Sequence, residues 1–456
     1  MQRDDRQGNS RRLGVLILGR KRPGFDQEWN QLVCRQSIAS LTELGFDCVG
    51  AEAPVVDDAT THAALDKVEQ ARCEALLLLQ PSIAHGQLAL TVMQRWRWPV
   101  VLWATPERPG DGKVSSCSLV GQHLWASALS QAGHPFEFVY GDAGSPALRT
   151  ELVRAIELAC TYQHISRSKV GVIGTYVPGF IDLAAEPFLL RKQLGAQLHA
   201  LSLPQYMERI HLLPEEVVAK DVQRVRDLHL RKTNVTEEML AVNSRCYLAM
   251  KEVMEEEGLD ALALQCWPEL PNMIGQWPYL AVSRLTSEGH AVSIEGDVDG
   301  CIHMLMNSCL KQGPSFLTDW LEHDQKEIFF WHPGMAPMIM CEAVGAEGGP
   351  ELDQHFNLAK PYVVNGQIRI GEPVTVMRLW RCGAGYRLTA FEGATRTPRR
   401  RLSGNTALVE VPGEDVPSRF DRLLHAGMPH HVLLSYGHHA ETYRRLARLF
   451  GIEWIA

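Results

Sequence analysis

The chain of 456 residues contains no apolar run approaching the roughly 18 residues that a bilayer-crossing helix requires, so no membrane span is expected. It has no surplus of positive charge. Its 53 acidic and 45 basic residues leave a formal charge of −8, which removes any general electrostatic pull toward nucleic acid. Its cysteines form no C-x-x-C pair, and eleven is an odd number. Reduced, buried thiols, as expected for Cys266, Cys301 and Cys309, and a reducing, cytoplasmic compartment are the straightforward reading. Several motifs are also missing: the P-loop, G-x-G-x-x-G behind a strand, the G-x-S-x-G elbow and H-E-x-x-H. Nucleotide hydrolysis, dinucleotide redox chemistry and α/β-hydrolase acyl transfer therefore have no motif support.

What is present is an ordinary globular composition, 45% apolar and 21% charged, long enough for two to four domains. After a polar start (residues 1–12), Leu13-Gly14-Val15-Leu16-Ile17-Leu18 is a continuous apolar run suited to a parallel strand buried on both faces. Strand-like and helix-like segments then alternate to about residue 165, which implies βαβ units and an open parallel sheet. The pattern restarts at Val170-Gly171-Val172-Ile173-Gly174. Both starts run into a similar turn, Pro23-Gly24-Phe25-Asp26 and Pro178-Gly179-Phe180-Ile181-Asp182. After about residue 345 the rhythm becomes that of antiparallel strands with Gly- and Pro-bearing turns. The expected fold class is α/β: two tandem Rossmann-like parallel-sheet domains (12–165 and 166–345), then a mostly β domain (346–456).

Chemistry-bearing side chains stand at the ends of apolar segments. Cys266-Trp267-Pro268-Glu269 follows a buried strand and puts Glu269 near its carboxyl end, where ligands bind in open α/β sheets, although a loop glutamate in solvent fits too. Glu295-Gly296-Asp297-Val298-Asp299 crowds three carboxylates into five residues, a pattern that suits Mg²⁺ or Mn²⁺ or else a plain acidic loop. His332 ends a third strand. His430-His431 and His438-His439 bracket a fourth, and strand alternation allows at most one of each pair to face a given site. Carboxylate and imidazole without thiolate fits Mn²⁺ better than structural zinc.

These stretches resemble a known family. His425-Ala426-Gly427-Met428-Pro429-His430-His431-Val432-Leu433-Leu434-Ser435, with Gly437-His438 following, is similar to the C-terminal segment of L-arabinose and L-fucose isomerases. Ile294-Glu295-Gly296-Asp297 with Met304-Leu305-Met306 resembles the fucose isomerase segment that carries a metal-binding Asp. The resemblance implies a metal-dependent aldose–ketose isomerase acting on an open-chain sugar through a cis-enediol, with Mn²⁺ (or another divalent cation such as Mg²⁺ or Co²⁺) as cofactor. By that resemblance Glu269, Asp297 and His431 would be the metal ligands, and Glu269 and Asp297 the proton-transfer groups. His332 and Glu295 are the further ligand candidates, and Glu295 competes with Asp297. Trp267 and His438 are the candidate substrate contacts. A homo-oligomer, trimer or hexamer, with sites at subunit boundaries is implied as well, and Arg20 or Arg22 could then reach a neighbour's substrate. The basic run Arg396, Arg399, Arg400 and Arg401 reads as a solvated loop or as a recognition element for an anionic sugar. A non-catalytic sugar-binding or regulatory protein is the alternative function.

Overall fold

A computed structural model describes residues 11–456 apart from Pro23 and Glu414. The chain divides into two compact units, Met1–His164 and Ile165–Ala456. In the first, five strands, β1 (Arg11–Ile17), β2 (Phe46–Val49), β3 (Leu76–Gln80), β4 (Val100–Ala104) and β5 (Phe136–Tyr140), alternate with helices. All are parallel, in the order β2-β1-β3-β4-β5. β3 and β4 are buried throughout, which is why their sequences are uninterrupted apolar runs rather than alternating ones.

The second unit opens with β6 (Lys169–Ile173), β7 (Gln197–Leu201), a short β8 (Arg231–Lys232), β9 (Ala261–Leu264) and β10 (Ala291–Ile294). Four of these form a second parallel sheet, β10-β9-β6-β7. The chain continues through β11 (Ser315–His323), β12 (Glu327–His332), β13 (Glu351–Asp353), β14 (Val363–Gln367), β15 (Pro373–Cys382), β16 (Gly385–Arg396), β17 (Asn405–Glu410), β18 (His431–Tyr436) and β19 (Glu453–Trp454). Six of them, β16-β15-β18-β11-β12-β17, are antiparallel neighbours, and β16 pairs again with β17, so the ring closes into a barrel. The two parallel sheets and the β-rich C-terminal part agree with the fold class read from the sequence. β11 and β12, which precede residue 345, belong to the barrel.

All eleven cysteines are free thiols, with Cys266 and Cys301 fully buried. No helix among the described residues is long and apolar enough to cross a membrane.

Candidate metal centre

Strand pairing assembles the site. In the barrel, β11 lies between β18 and β12, and register sets Asp319 opposite both His431 and Trp331, one residue before His332. The consecutive strands β11 and β12 and the sequence-distant β18 thereby deliver a carboxylate and two imidazoles to one place; the two rings are 5.7 Å apart between centroids. From the parallel sheet comes Glu295, one residue past β10. It adopts a left-handed backbone (φ 59°), followed by Gly296 (φ 70°). A Cβ at position 296 would fall 2.3 Å from the Thr175 carbonyl oxygen, so only glycine permits this turn. A non-glycine residue held in this region is costly, and such strain clusters at functional sites.

The result is a buried group, Glu295, His332 and His431, whose ligand atoms all lie within 4.8 Å of one another; a second such group joins Asp319 and His430 to the same His431. Nε2 of His431 is 3.3 Å from a Glu295 carboxylate oxygen and 3.9 Å from Asp319 Oδ1. Nε2 of His431, Nδ1 of His332 and Oδ1 of Asp319 are all buried without an aligned hydrogen bond. Buried polar atoms left unpaired are expensive. A nitrogen–oxygen set of this kind is what a divalent cation would satisfy, and it fits the ion that the resemblance implies.

The electrostatics tie Glu295 and His431 together as a buried ion pair and leave His332 neutral. Burial disfavours the charged forms of both Glu295 and His431. Hydrogen bonding to His430 and His431 nevertheless holds Glu295 far below the usual carboxylate range. Contacts with Asp297 and Glu295 raise His431 to about 10. Burial lowers His332 to about 3, so it is a neutral imidazole, the form that ligates. Burial lifts Asp319 to about 6 against the opposing pull of His431 and His430.

The other residues singled out in the sequence are placed as follows. Asp297 does not join the group. It caps the helix Val298–Cys309 by accepting from Gly300 N (2.8 Å) and takes two hydrogen bonds from Arg378 (2.6 and 2.9 Å). It also accepts from His431 Nδ1 (2.9 Å). The turn at Glu295–Gly296 is what sends Asp297 behind the imidazole while Glu295 faces its other nitrogen. Glu269 is exposed in the first turn of the helix Glu269–Ile274 and accepts from Gln265 Nε2 (2.6 Å); it lies outside the group. Trp267 is beside the group, its indole nitrogen 3.4 Å from Glu295 Oε1. His438 is not: it follows the far end of β18, some seven residues or about 23 Å of extended chain from His431, and its Nε2 meets the Gly393 carbonyl oxygen.

Sequence reasoning missed four participants. His430 was expected to face away if His431 faced in, yet both reach Glu295, at 3.5 and 3.3 Å, because the strand begins only at His431. Asp182 bonds His430 Nδ1 at 2.7 Å and comes from the Pro-Gly-Phe-Ile-Asp turn, noticed only for its likeness to residues 23–26. Arg378 is a charged residue set between the apolar pairs Val376-Met377 and Leu379-Trp380, and that was the available signal; Asp319 lies in a strand of mixed polarity and carried none.

Comparison with known proteins gives this geometry a context. Residues 190–312 match the family model described as L-arabinose isomerase central domain. A sulfoquinovose isomerase of Priestia aryabhattai is 27% identical over 443 residues, covering 96% of this chain and 98% of the relative. Another sulfoquinovose isomerase, from Clostridium sp. (strain MSTE9), is 24% identical over 437 residues, covering 94% and 96%. The L-arabinose isomerase of Escherichia coli (strain K12) is 28% identical over 223 residues, 46% of this chain and 43% of that one. Taken with the two parallel sheets and the C-terminal barrel, these matches show that the chain belongs to the arabinose isomerase-like superfamily of sugar isomerases.

Proposed function

We propose that this isomerase is a divalent-metal-dependent aldose–ketose isomerase, that its ion is Mn²⁺, and that its sugar is an anionic hexose of the sulfoquinovose kind. The observation that carries the metal dependence is the convergence of Glu295, His332 and His431, whose buried ligand atoms lie within 4.8 Å of one another. The end-to-end match to relatives named sulfoquinovose isomerase supports the substrate class, whereas the arabinose isomerase match covers less than half the chain.

In this reading Glu295, His332 and His431 hold the ion, with Asp319 in reserve beside His431. When bound, a divalent ion polarises the sugar carbonyl. Asp297 fixes the His431 ring, so that Nε2 faces the ion and Nδ1 keeps its proton. Glu269, exposed near the carboxyl end of β9, carries the proton between C1 and C2. His430, anchored by Asp182 and met edge-on by Phe180 (4.9 Å between centroids), forms the wall with Trp267 and gives hydrogen bonds to the sugar oxygens. We place the enzyme in the cytoplasm as a trimer or hexamer, which light scattering of the purified protein tests.

The deciding experiment incubates the chain with Mn²⁺ and either sulfoquinovose or glucose and follows ketose formation. Faster conversion of sulfoquinovose is expected. No turnover of any aldose or ketose with Mn²⁺, Mg²⁺ or Co²⁺ overturns the proposal and leaves the non-catalytic sugar-binding alternative.

A further inference from the structure

Arg378, the buried arginine beside the metal centre, is spent on Asp297, and the basic run that the sequence offered for an anionic sugar is already paired. Arg396 pairs with Glu410, Arg399 with Asp324 and Glu327, Arg400 with Glu322 and Arg401 with Glu347.

A different place has the required chemistry. In the first unit the strand order reverses between β1 and β3, and a cavity of about 750 Å³ opens there, past the carboxyl ends of those strands. Ligands of open α/β sheets bind at such switch points. Arg20, Arg22 and Arg35 line the cavity, and none of them has a carboxylate partner among the described residues. The acid on its wall, Glu52, is engaged by Lys67 at 3.3 Å. Arg20 is held in place: its guanidinium lies 5.0 Å from the Phe25 ring centroid, and a side chain at Gly24 would collide with its Nη2. Asn30 also lines the cavity, is 9% exposed, and has a buried Oδ1 without a hydrogen-bond partner. Arginines call for an oxyanion, and an orphaned amide oxygen calls for a hydroxyl donor beside it.

We propose that this crevice is a receptor for the oxyanion of an anionic sugar, with Arg20, Arg22 and Arg35 on the sulfonate or phosphate and Asn30 accepting from a neighbouring hydroxyl. The inference rests on the anionic-substrate reading for its ligand class but not for its existence. Calorimetric titration of the full chain in EDTA with inorganic phosphate, sulfoquinovose and glucose tests it. The two anions are expected to bind and glucose not to bind. In the doubly substituted Arg20→Gln/Arg35→Gln chain anion affinity should drop at least tenfold, with partial recovery in Arg20→Lys. Anion affinity unchanged in the double variant, with circular dichroism confirming its fold, overturns the proposal.

The source of the anion is read from kinetics with Mn²⁺. Phosphate raising the KM for sulfoquinovose assigns the crevice to the substrate's own sulfonate. Phosphate binding that leaves KM unchanged assigns it to a separate anionic ligand. If no sugar is turned over while anion affinity still depends on Arg20 and Arg35, the isomerase reading fails and the crevice stands.

Discussion

Asp297 binds His431 from behind: its Oδ2 receives the Nδ1 proton at 2.9 Å, while both carboxylate oxygens are gripped by Arg378. All three side chains are essentially inaccessible to solvent, at 0%, 0% and 1% exposure. The imidazole is thus fixed in ring angle by a carboxylate that stands outside the group Glu295, His332 and His431.

Substituting Asp297→Asn tests that relationship. It removes the charge facing Arg378 in a dry interior, where stripping one partner from a buried pair costs about 3–5 kcal/mol. A lower thermal midpoint is expected, together with roughly 10–100-fold weaker Mn²⁺ binding, as for other second-layer carboxylates. Calorimetry on the folded fraction reads both; unaltered metal affinity would refute the orienting role.

Glu295→Gln and His332→Gln each remove a proposed ligand without opening a cavity. Both purified proteins should retain little Mn²⁺ by elemental analysis and should lose activity that excess Mn²⁺ restores only partly. Chelator treatment of the unsubstituted chain should abolish turnover, and added Mn²⁺ should return it.

Glu269→Gln separates proton transfer from metal holding. With Mn²⁺ still bound, kcat should fall by about 10²–10⁴ while the metal content is unchanged. His438→Ala serves as the contrast: standing at the other end of β18, it should change kcat by less than about twofold.

A fourth prediction concerns the first unit. The Glu107 carboxylate accepts from the backbone N–H groups of Ser115 (2.7 Å), Ser116 (2.9 Å) and Cys117 (2.7 Å), and from both serine hydroxyls. Partial burial opposes its charge, yet these bonds lower its pKa to about 2. A group depressed on folding stabilises above its unfolded value of about 4.3 and loses that contribution as pH falls through the folded value. Glu107→Gln should therefore lower the thermal midpoint at pH 7. The gap from the unsubstituted chain should shrink between pH 4 and pH 2. A gap independent of pH would contradict the carboxylate's role.

Much of this molecule was legible in its sequence, for physical reasons that differ by region. Runs such as Leu76-Leu77-Leu78-Leu79 announce fully buried parallel strands, because burial on both faces leaves no polar alternation. His332 and His431 were legible as candidates because histidine at the end of an apolar strand is unusual. The choice between Glu295 and Asp297 was not legible. Two acids two residues apart lie on the same face of a continuing strand, and only the left-handed backbone at Glu295 and Gly296 sends them to opposite sides of one ring. Asp319 was hidden for another reason: its nearness to His431 is a matter of pairing between β11 and β18, and sequence carries no local mark of which strands become neighbours.

Closure of the barrel through β16 and β17 has a consequence for how this enzyme could change over time. A strand in a ring has no free edge, so β18, β11 and β12 cannot slide past one another without breaking hydrogen bonds on both flanks. The spacing of His431, Asp319 and His332 is consequently a fixed frame. In the proposed site, adaptation to a different sugar or ion would come from parts outside that frame: the turn bearing Glu295, the short helix bearing Glu269 and the turn that carries Asp182.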